Sequence, residues 1–362
     1  PIPPPPYSKK NKYNLYYLNT GIKGTVFLKF KQIKTLSPSV RIYSKIYRFR
    51  KEVSERIINT YIFEENELGI FLSLLLGEKS YLTSNMKDNY KKSGVIHVLA
   101  ISGLHVGIVY LFFTFIFKIL FLQHKQIQFV IIVTGLLIYA ALSGFSPSVL
   151  RACIMCILLQ FGKMIGRKNS SLNVVFVSAY ILLLYNSNYL FDIGFQLSYS
   201  AVAFIIYGFP FLSKLYTPKS KIIQYVLNLH WVNCLAFLGT TPILLYHFEI
   251  IYLGSLLAGL IVVPVISIIL LIGIFCLPFM YVPIVFTTGL KACNYMLWGV
   301  NYLVSVLSTS YSFPLVHPIN EMTSYLMLCL FITLLSPSSK IQSKFIAIGS
   351  LSLLLLSSTY LS

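Results

Sequence analysis

Acidic side chains are scarce in this sequence: its 362 residues include 10 Asp and Glu, and charged residues of both signs make up only 11%. Soluble domains hold about a quarter of their residues as Asp, Glu, Lys and Arg, so this scarcity excludes an ordinary cytosolic enzyme. A Walker-type phosphate loop is missing, which excludes transport driven by the chain's own ATP hydrolysis. The first residues, Pro1 to Pro6, contain neither an initiator Met nor the charged and apolar regions of a signal peptide. We therefore expect a piece of a longer protein. The 6 cysteines all lie in apolar runs, so neither a disulfide framework nor a compartment can be argued from them. Cys153 and Cys156 form a lone CxxC with no second pair and no nearby His, which reads as packing and not as a metal site. No pattern in the chain calls for a cofactor.

What is abundant is apolar surface, at 56% of residues with a mean hydropathy of +0.75, and positive charge, at a net +19. Such an excess suits anionic lipid or nucleic acid. Of the 29 cations, 13 fall in residues 1 to 60, a stretch whose apolar runs are only a few residues long, so that stretch belongs in water. Within it Gly21 and Gly24 separate short β-type runs such as Thr25 to Leu28, which predicts residues 1–38 to be the remnant of an external β domain. Residues 39–63 read as an amphipathic helix. Ile42, Ile46, Phe49, Val53 and Ile57 recur at helical spacing while Arg41, Lys45, Arg48, Arg50, Lys51 and Arg56 take the other positions, which suits either a membrane interface or a face of the missing domain.

Residues 64–362 meet the spanning requirement of about 20 apolar residues repeatedly. The predicted fold class is an all-α polytopic membrane protein of about ten helices, at 95–121, 127–145, 148–166, 172–190, 195–212, 225–245, 250–277, 284–307, 322–336 and 345–361. Pro264 is a candidate break in the seventh, and Leu68 to Leu76 is too short to span and reads as re-entrant. Lys and Arg of the short loops (Lys125; Arg167 and Lys168; Lys214, Lys219 and Lys221; Lys340 and Lys344) all fall on one side, which predicts that side to be cytoplasmic and residues 1–93 and the C-terminus to lie outside. Lys79, Lys87, Lys91 and Lys92, just before the first helix, pull the other way.

Three polar clusters interrupt the apolar runs. The first runs from His97 to Gly107, with Ser102, Gly103 and His105; on a continuous helix His97 and His105 share one broad face. Such groups either line a water-filled cavity or help helices pack closely. The second is Ser143 to Ala152, where Ser146 suits an N-cap, Pro147 a first turn, and Arg151 lies one turn inside. Arg151 either snorkels, lines a polar path, or pairs with Asp192 or Glu249. The third is Asp192 to Ala201, with Gln196, Ser198 and Ser200 unsuited to lipid. With His230, Asn233, Thr240 and Thr241 the set describes a bundle with a hydrated interior, as channels and transporters need. A small-solute transporter is one rival reading, and an intramembrane hydrolase with a Ser102 nucleophile and His105 or His230 as base is another, although Ser102 and His105 point 60° apart on a regular helix and no carboxylate or oxyanion hole accompanies them.

The strings HVLAISGLHVG (His97 to Gly107), SPSVLRA (Ser146 to Ala152) and GFQLSYSA (Gly194 to Ala201), with Arg167, resemble the competence domain of the ComEC family, membrane proteins of DNA uptake. TTPILLYHF and VVPVIS fit the same pattern farther on, and the resemblance covers roughly residues 64 to 340. It implies a channel for single-stranded DNA in the bilayer of the cytoplasmic membrane, fed by an external DNA receptor and served by a cytoplasmic DNA translocase or helicase, with room for an oligomer. His97, Ser102, Gly103, His105, Arg151, Gln196 and Ser198 would line the path, and Lys79, Lys87, Lys91 and Lys92 would form an outer basic funnel with the amphipathic helix. The external OB-type domain of the family is mostly absent here and the nuclease-like domain wholly so, which leaves a non-enzymatic segment as the expectation. Gly259 stands where the family commonly has Asn, and a Pro near Ser187 is missing.

Overall fold

The computed structural model describes residues 42–310, apart from 100, 120–123, 167–169 and 217, together with 314–316, 323 and 327. The expected β remnant in 1–38, Arg167 and Lys168, all of the last predicted span and all but residues 323 and 327 of the one before it lie outside the described residues. The described chain is helical: α1 Ile42–Ile58, α2 Glu65–Leu76, α3 Ser84–Lys92, α4 Gly103–Ile119, α5 Lys125–Leu142, α6 Pro147–Met164, α7 Ser171–Tyr185, α8 Ile193–Leu215, α9 Lys221–Phe248, α10 Ser255–Cys276 and α11 Pro283–Ser310. One antiparallel pair, β1 Ile250–Tyr252 with β2 Pro314–Val316, sets Ile250 opposite Val316.

Five helices, α5, α6, α8, α9 and α10, are long and apolar enough to cross a membrane, which makes this a multi-pass membrane protein; α4 and α7 are apolar but shorter. The 28-residue α11 is as long as any but is not among the five. Two expectations are corrected. Residues 250–252 form β1 and not the start of the seventh helix, and that helix passes unbroken through Pro264. An interior Pro removes one hydrogen bond, a loss that neighbouring helices and hydroxyls can absorb; Ser267 donates back to the Val263 carbonyl at 2.7 Å.

The largest core surrounds α2. Ile70, Phe71, Leu72, Leu74, Leu75 and Leu76 are all buried, against α1, α3, α10 and α11. A helix apolar on every side must be enclosed on every side, and at about 1.5 Å per residue α2 is too short to cross. Its end is set by Gly77, at φ 71°, whose N–H bonds the Ser73 carbonyl while Glu78 bonds that of Leu72. This left-handed turn costs a Cβ-bearing residue free energy that glycine avoids. The amphipathic α1 docks on this core through Val53 and Ile57, whereas Phe49, expected on its apolar face, is exposed. Arg50 Nη2 donates to the Leu76 carbonyl at 2.7 Å, Ser54 donates to Glu78, and Arg56 lies over the Tyr281 ring at 4.3 Å.

A second core joins α4, α5 and α6, and a smaller one joins α7 to α8. Lys163 of α6 donates to the Tyr110 hydroxyl of α4 at 2.8 Å, which donates in turn to Gln160 at 3.0 Å. Helices α8 and α9 form an antiparallel hairpin whose residues are mostly half-buried.

Candidate functional site

The first polar cluster is a break and not a continuous helix. Ile96–Leu99 makes a single 3-10 turn, and α4 begins only at Gly103. His97 and His105 therefore do not share a helix face: His97 is exposed on the turn, and His105 is buried in the first turn of α4. The His105 N–H donates to the Ser102 carbonyl at 3.1 Å, and its Nδ1 accepts the Ser102 backbone N–H at 3.2 Å. This is one half of a capping box, with imidazole in the place usually taken by Glu or Gln; the His105 N–H goes to the backbone carbonyl of Ser102 and not to its hydroxyl. Because Nδ1 accepts, the neutral ring carries its proton on Nε2. The ring thus meets the backbone of Ser102 and not its hydroxyl, so the Ser102–His105 nucleophile–base pair is not formed. The interrupted backbone is satisfied from α2, where the buried Ser73 hydroxyl donates to the Leu99 carbonyl.

The second cluster sits against the other two. Helix α6 starts at Pro147 as expected, although the Ser146 hydroxyl makes no capping bond. A methyl added at Gly103 would meet Ala152 at 3.5 Å, which places the first motif on the second. On its other side, Arg151 Nη1 lies 3.8 Å from Asp192 Oδ1, the same oxygen that caps α8 by accepting the Phe195 N–H at 2.8 Å. Arg151 is 6% exposed. A methyl at Gly194 would fall 3.2 Å from the Asp192 carboxylate and 3.3 Å from Arg151 Nη2, so the glycine of the third motif makes room for the guanidinium. Of the roles open to Arg151, the geometry realises the Asp192 pair. Leu150, Tyr189, Leu182 and Phe195 line a small cleft beside it, and its Nε, buried there, has no partner among the described residues.

Gln196 bridges the hairpin, donating to the Leu190 carbonyl at 3.0 Å and facing His247 Nε2 at 3.3 Å. Ser198 is half-buried on α8, and Ser200 donates to the Gly239 carbonyl of α9. Both departures from the family pattern find a local substitute. At Gly259 the space is filled by Asn233 of α9, whose Nδ2 donates to the Leu256 carbonyl at 2.8 Å, and a methyl at Gly259 would meet its Oδ1 at 2.8 Å. Without proline, Ser187–Phe191 still turns, as a 3-10 helix capped by Asn186, which accepts the Asn188 N–H at 3.0 Å.

Lys79, Lys87, Lys91 and Lys92 are all exposed, the last three on α3. Most path residues and these lysines are not one cluster: Arg151 and Gly103 meet at α6 with Asp192, whereas α3 packs on the 3-10 turn that carries His97 and on α11 through Met86 and Tyr90. That junction holds residues that no sequence pattern singles out. Tyr90 donates to Asn301 Oδ1 at 2.9 Å, and Asn301 Nδ2 donates to Glu67 Oε1 at 2.7 Å. Burial, and then the Glu67 charge, push the Tyr90 hydroxyl above its usual range. Glu67 and Asn301 are 234 residues apart, so no local pattern could have paired them.

The Competence protein family matches residues 74–338. ComE operon protein 3 of Bacillus subtilis (strain 168) is 30% identical over 220 residues, 61% of this chain and 27% of that protein. Recombination protein 2 of Haemophilus influenzae is 26% identical over 265 residues, 66% of this chain and 31% of that protein. An uncharacterized protein of Aquifex aeolicus is 28% identical over 194 residues, 51% of this chain and 46% of that protein. The chain thus spans between about a quarter and about a half of these relatives' length. No solved structure matches it. Since the family match begins within α2, runs past β2 and takes in all three motifs with the Arg151–Asp192 junction between them, this chain belongs to the Competence protein family.

Proposed function

We propose that this chain is the membrane passage for single-stranded DNA entering the cell across the cytoplasmic membrane during natural transformation. The reading rests on one observation above the others. The three family motifs, far apart in sequence, meet around a buried Arg151 held by Asp192, inside a bundle whose α8–α9 hairpin carries half-buried polar groups. Polar groups of this kind are retained within membrane helices where they face protein or water.

In this reading Arg151 organises the passage and does not collect DNA: its charge is taken up by the Asp192 carboxylate that also starts α8. Collection falls to exposed cations, since a strand with one charge per nucleotide is drawn by solvated lysines that release counterions; Lys79, Lys87, Lys91 and Lys92 supply them. We assign no catalytic step to the segment. An external DNA receptor would deliver the strand and a cytoplasmic DNA translocase or helicase would draw it in, with the short basic loops on the cytoplasmic side. Deleting the gene should abolish entry of labelled DNA into the cytoplasm while DNA still binds outside the cell. Unchanged transformation would overturn the reading.

A further inference from the structure

Helix α11 differs from α5 and α10 on the side that protein does not cover. The exposed faces of α5 and α10 carry aliphatic groups and Phe, such as Ile127, Val130 and Leu137, or Leu257, Ile261 and Phe275, as helices in contact with lipid tails should. On α11 the exposed positions from 288 to 302 include Thr288, Lys291, Tyr295, Trp298 and Tyr302, each three or four residues after the last and so on one face, with the small Ala292 and Gly299 beside them. Tyr295 is 73% exposed, Trp298 61% and Tyr302 64%. The opposite face of the same helix, with Leu290, Leu297 and Val304, is locked into the α2 core.

Two features argue against lipid as the occupant of this stripe. Trp and Tyr that meet lipid gather at the interfaces, whereas Tyr295 and Trp298 sit in the middle third of a 28-residue helix and Tyr302 just beyond it. The helix is also too polar to rank with the five candidate spans. The stripe instead has what a single strand requires. Trp298 and Tyr302 lie nearly parallel, their rings 6.1 Å apart and inclined by 14°. Successive aromatics climb the axis by about 4.5 and 6 Å, steps on the scale of a stretched strand's base spacing. Lys291 stands one turn away on the same face, and Tyr90 ties the lysine-bearing α3 to Asn301, the residue beside Tyr302. Aromatic faces interleaved with cations bind single strands without regard to sequence, because every base has a π face.

We propose that the Tyr295–Trp298–Tyr302 face of α11 is a base-stacking surface for single-stranded nucleic acid, reached past the lysines of α3. The proposal rests on the channel reading and adds the residues that touch the cargo. It is tested on the full-length protein by two measurements. In purified protein, the fluorescence difference between wild type and Trp298→Phe isolates Trp298. A single-stranded oligothymidylate should quench that signal, and brominated lipid in vesicles should not. Quenching by lipid, or by neither probe because protein covers the face, overturns the proposal. In cells, the pair Trp298→Leu with Tyr302→Leu keeps an apolar surface but removes the rings, and should lower DNA entry by about tenfold or more at equal membrane abundance. The pair Trp298→Phe with Tyr302→Phe should stay within about twofold of wild type. Entry unaffected by the Leu pair, in cells where deletion of the gene abolishes it, sinks the stacking surface and leaves the channel standing. Entry unaffected by deletion sinks the channel, and oligothymidylate quenching then decides the surface by itself.

Discussion

The region around α2 and the α8–α9 hairpin are both helical and both apolar on average, yet they are built to different ends. Around α2, large aliphatic and aromatic side chains are fully buried, and a polar group such as Ser73 reaches across to a specific carbonyl. Along α8 and α9 most residues are half-buried, Pro210 and Pro242 interrupt the backbone ladder, and Thr240 and Thr241 bond back to the carbonyls of Ala236 and Phe237. Association of helices in lipid depends on packing and not on the hydrophobic effect. The first region is therefore the one that fixes shape, and the second is the one that can yield.

The harshest way to break this contrast is to charge the packed side. Leu72→Asp should cost several kcal/mol, because a carboxylate there has no partner, and should remove the protein from the membrane fraction on an immunoblot. An aspartate at Leu72 that inserts normally would mean that α2 is wetter than its burial indicates.

The joint between the regions comes next. Arg151→Gln strands Asp192 and should cost about 3 kcal/mol, the low end for a broken buried pair because Asp192 is one-third exposed. Membrane abundance and DNA entry should fall together. Adding Asp192→Asn should recover part of the abundance, since neither charge is then left alone. Transport lost at normal abundance would return Arg151 to the strand's path.

On the yielding side the sign reverses. Pro242→Ala allows α9 the hydrogen bond that proline cannot donate and should raise thermal stability by about 1 kcal/mol, less than the ~3 kcal/mol an interior proline can cost. Amide exchange over residues 236 to 246 should slow. A destabilised variant would show that the hairpin needs its proline for packing.

A finer cut separates capping from chemistry in the first motif. His105→Gln keeps a side-chain acceptor for the Ser102 N–H and should leave stability within about 0.5 kcal/mol of wild type, while His105→Leu loses that acceptor at about 1 kcal/mol. Thermal melting in detergent reads both. Equal loss in the two variants would give the imidazole a role beyond the cap.

The smallest effect on stability belongs to the exposed lysines. Changing Lys87, Lys91 and Lys92 to Gln should move stability by under about 0.5 kcal/mol. DNA entry should weaken and become less sensitive to salt; an unaltered salt dependence would remove these residues from the funnel.

Much of the architecture was legible because long apolar runs report helices whatever they pack against. All eight predicted spans that fall within the described residues overlap a helix, and Leu68 to Leu76 lies inside the short α2. The break at residues 101–102 is not visible in the hydropathy, which runs on through it. The signal was there in the spacing of Ser102 and His105, which fits a capping box once His is allowed the third position. Asp192 was among the partners considered for Arg151, but that the three motifs meet at one helix, α6, needed contacts between residues tens of positions apart. The α11 stripe escaped notice because Tyr and Trp count as apolar in any span, and only the packing of the opposite face reveals which of them are left outside.

The brevity of α2 also fixes the parity of the chain. A helix of 12 residues rises about 18 Å and cannot reach across a hydrocarbon core of about 30 Å, so the chain must leave on the side from which it entered. Helix α2 by itself therefore adds no crossing to the count. Lengthening α2 by a turn or two would not add a passage; it would invert the sidedness of everything after it only if the helix grew long enough to emerge on the far side.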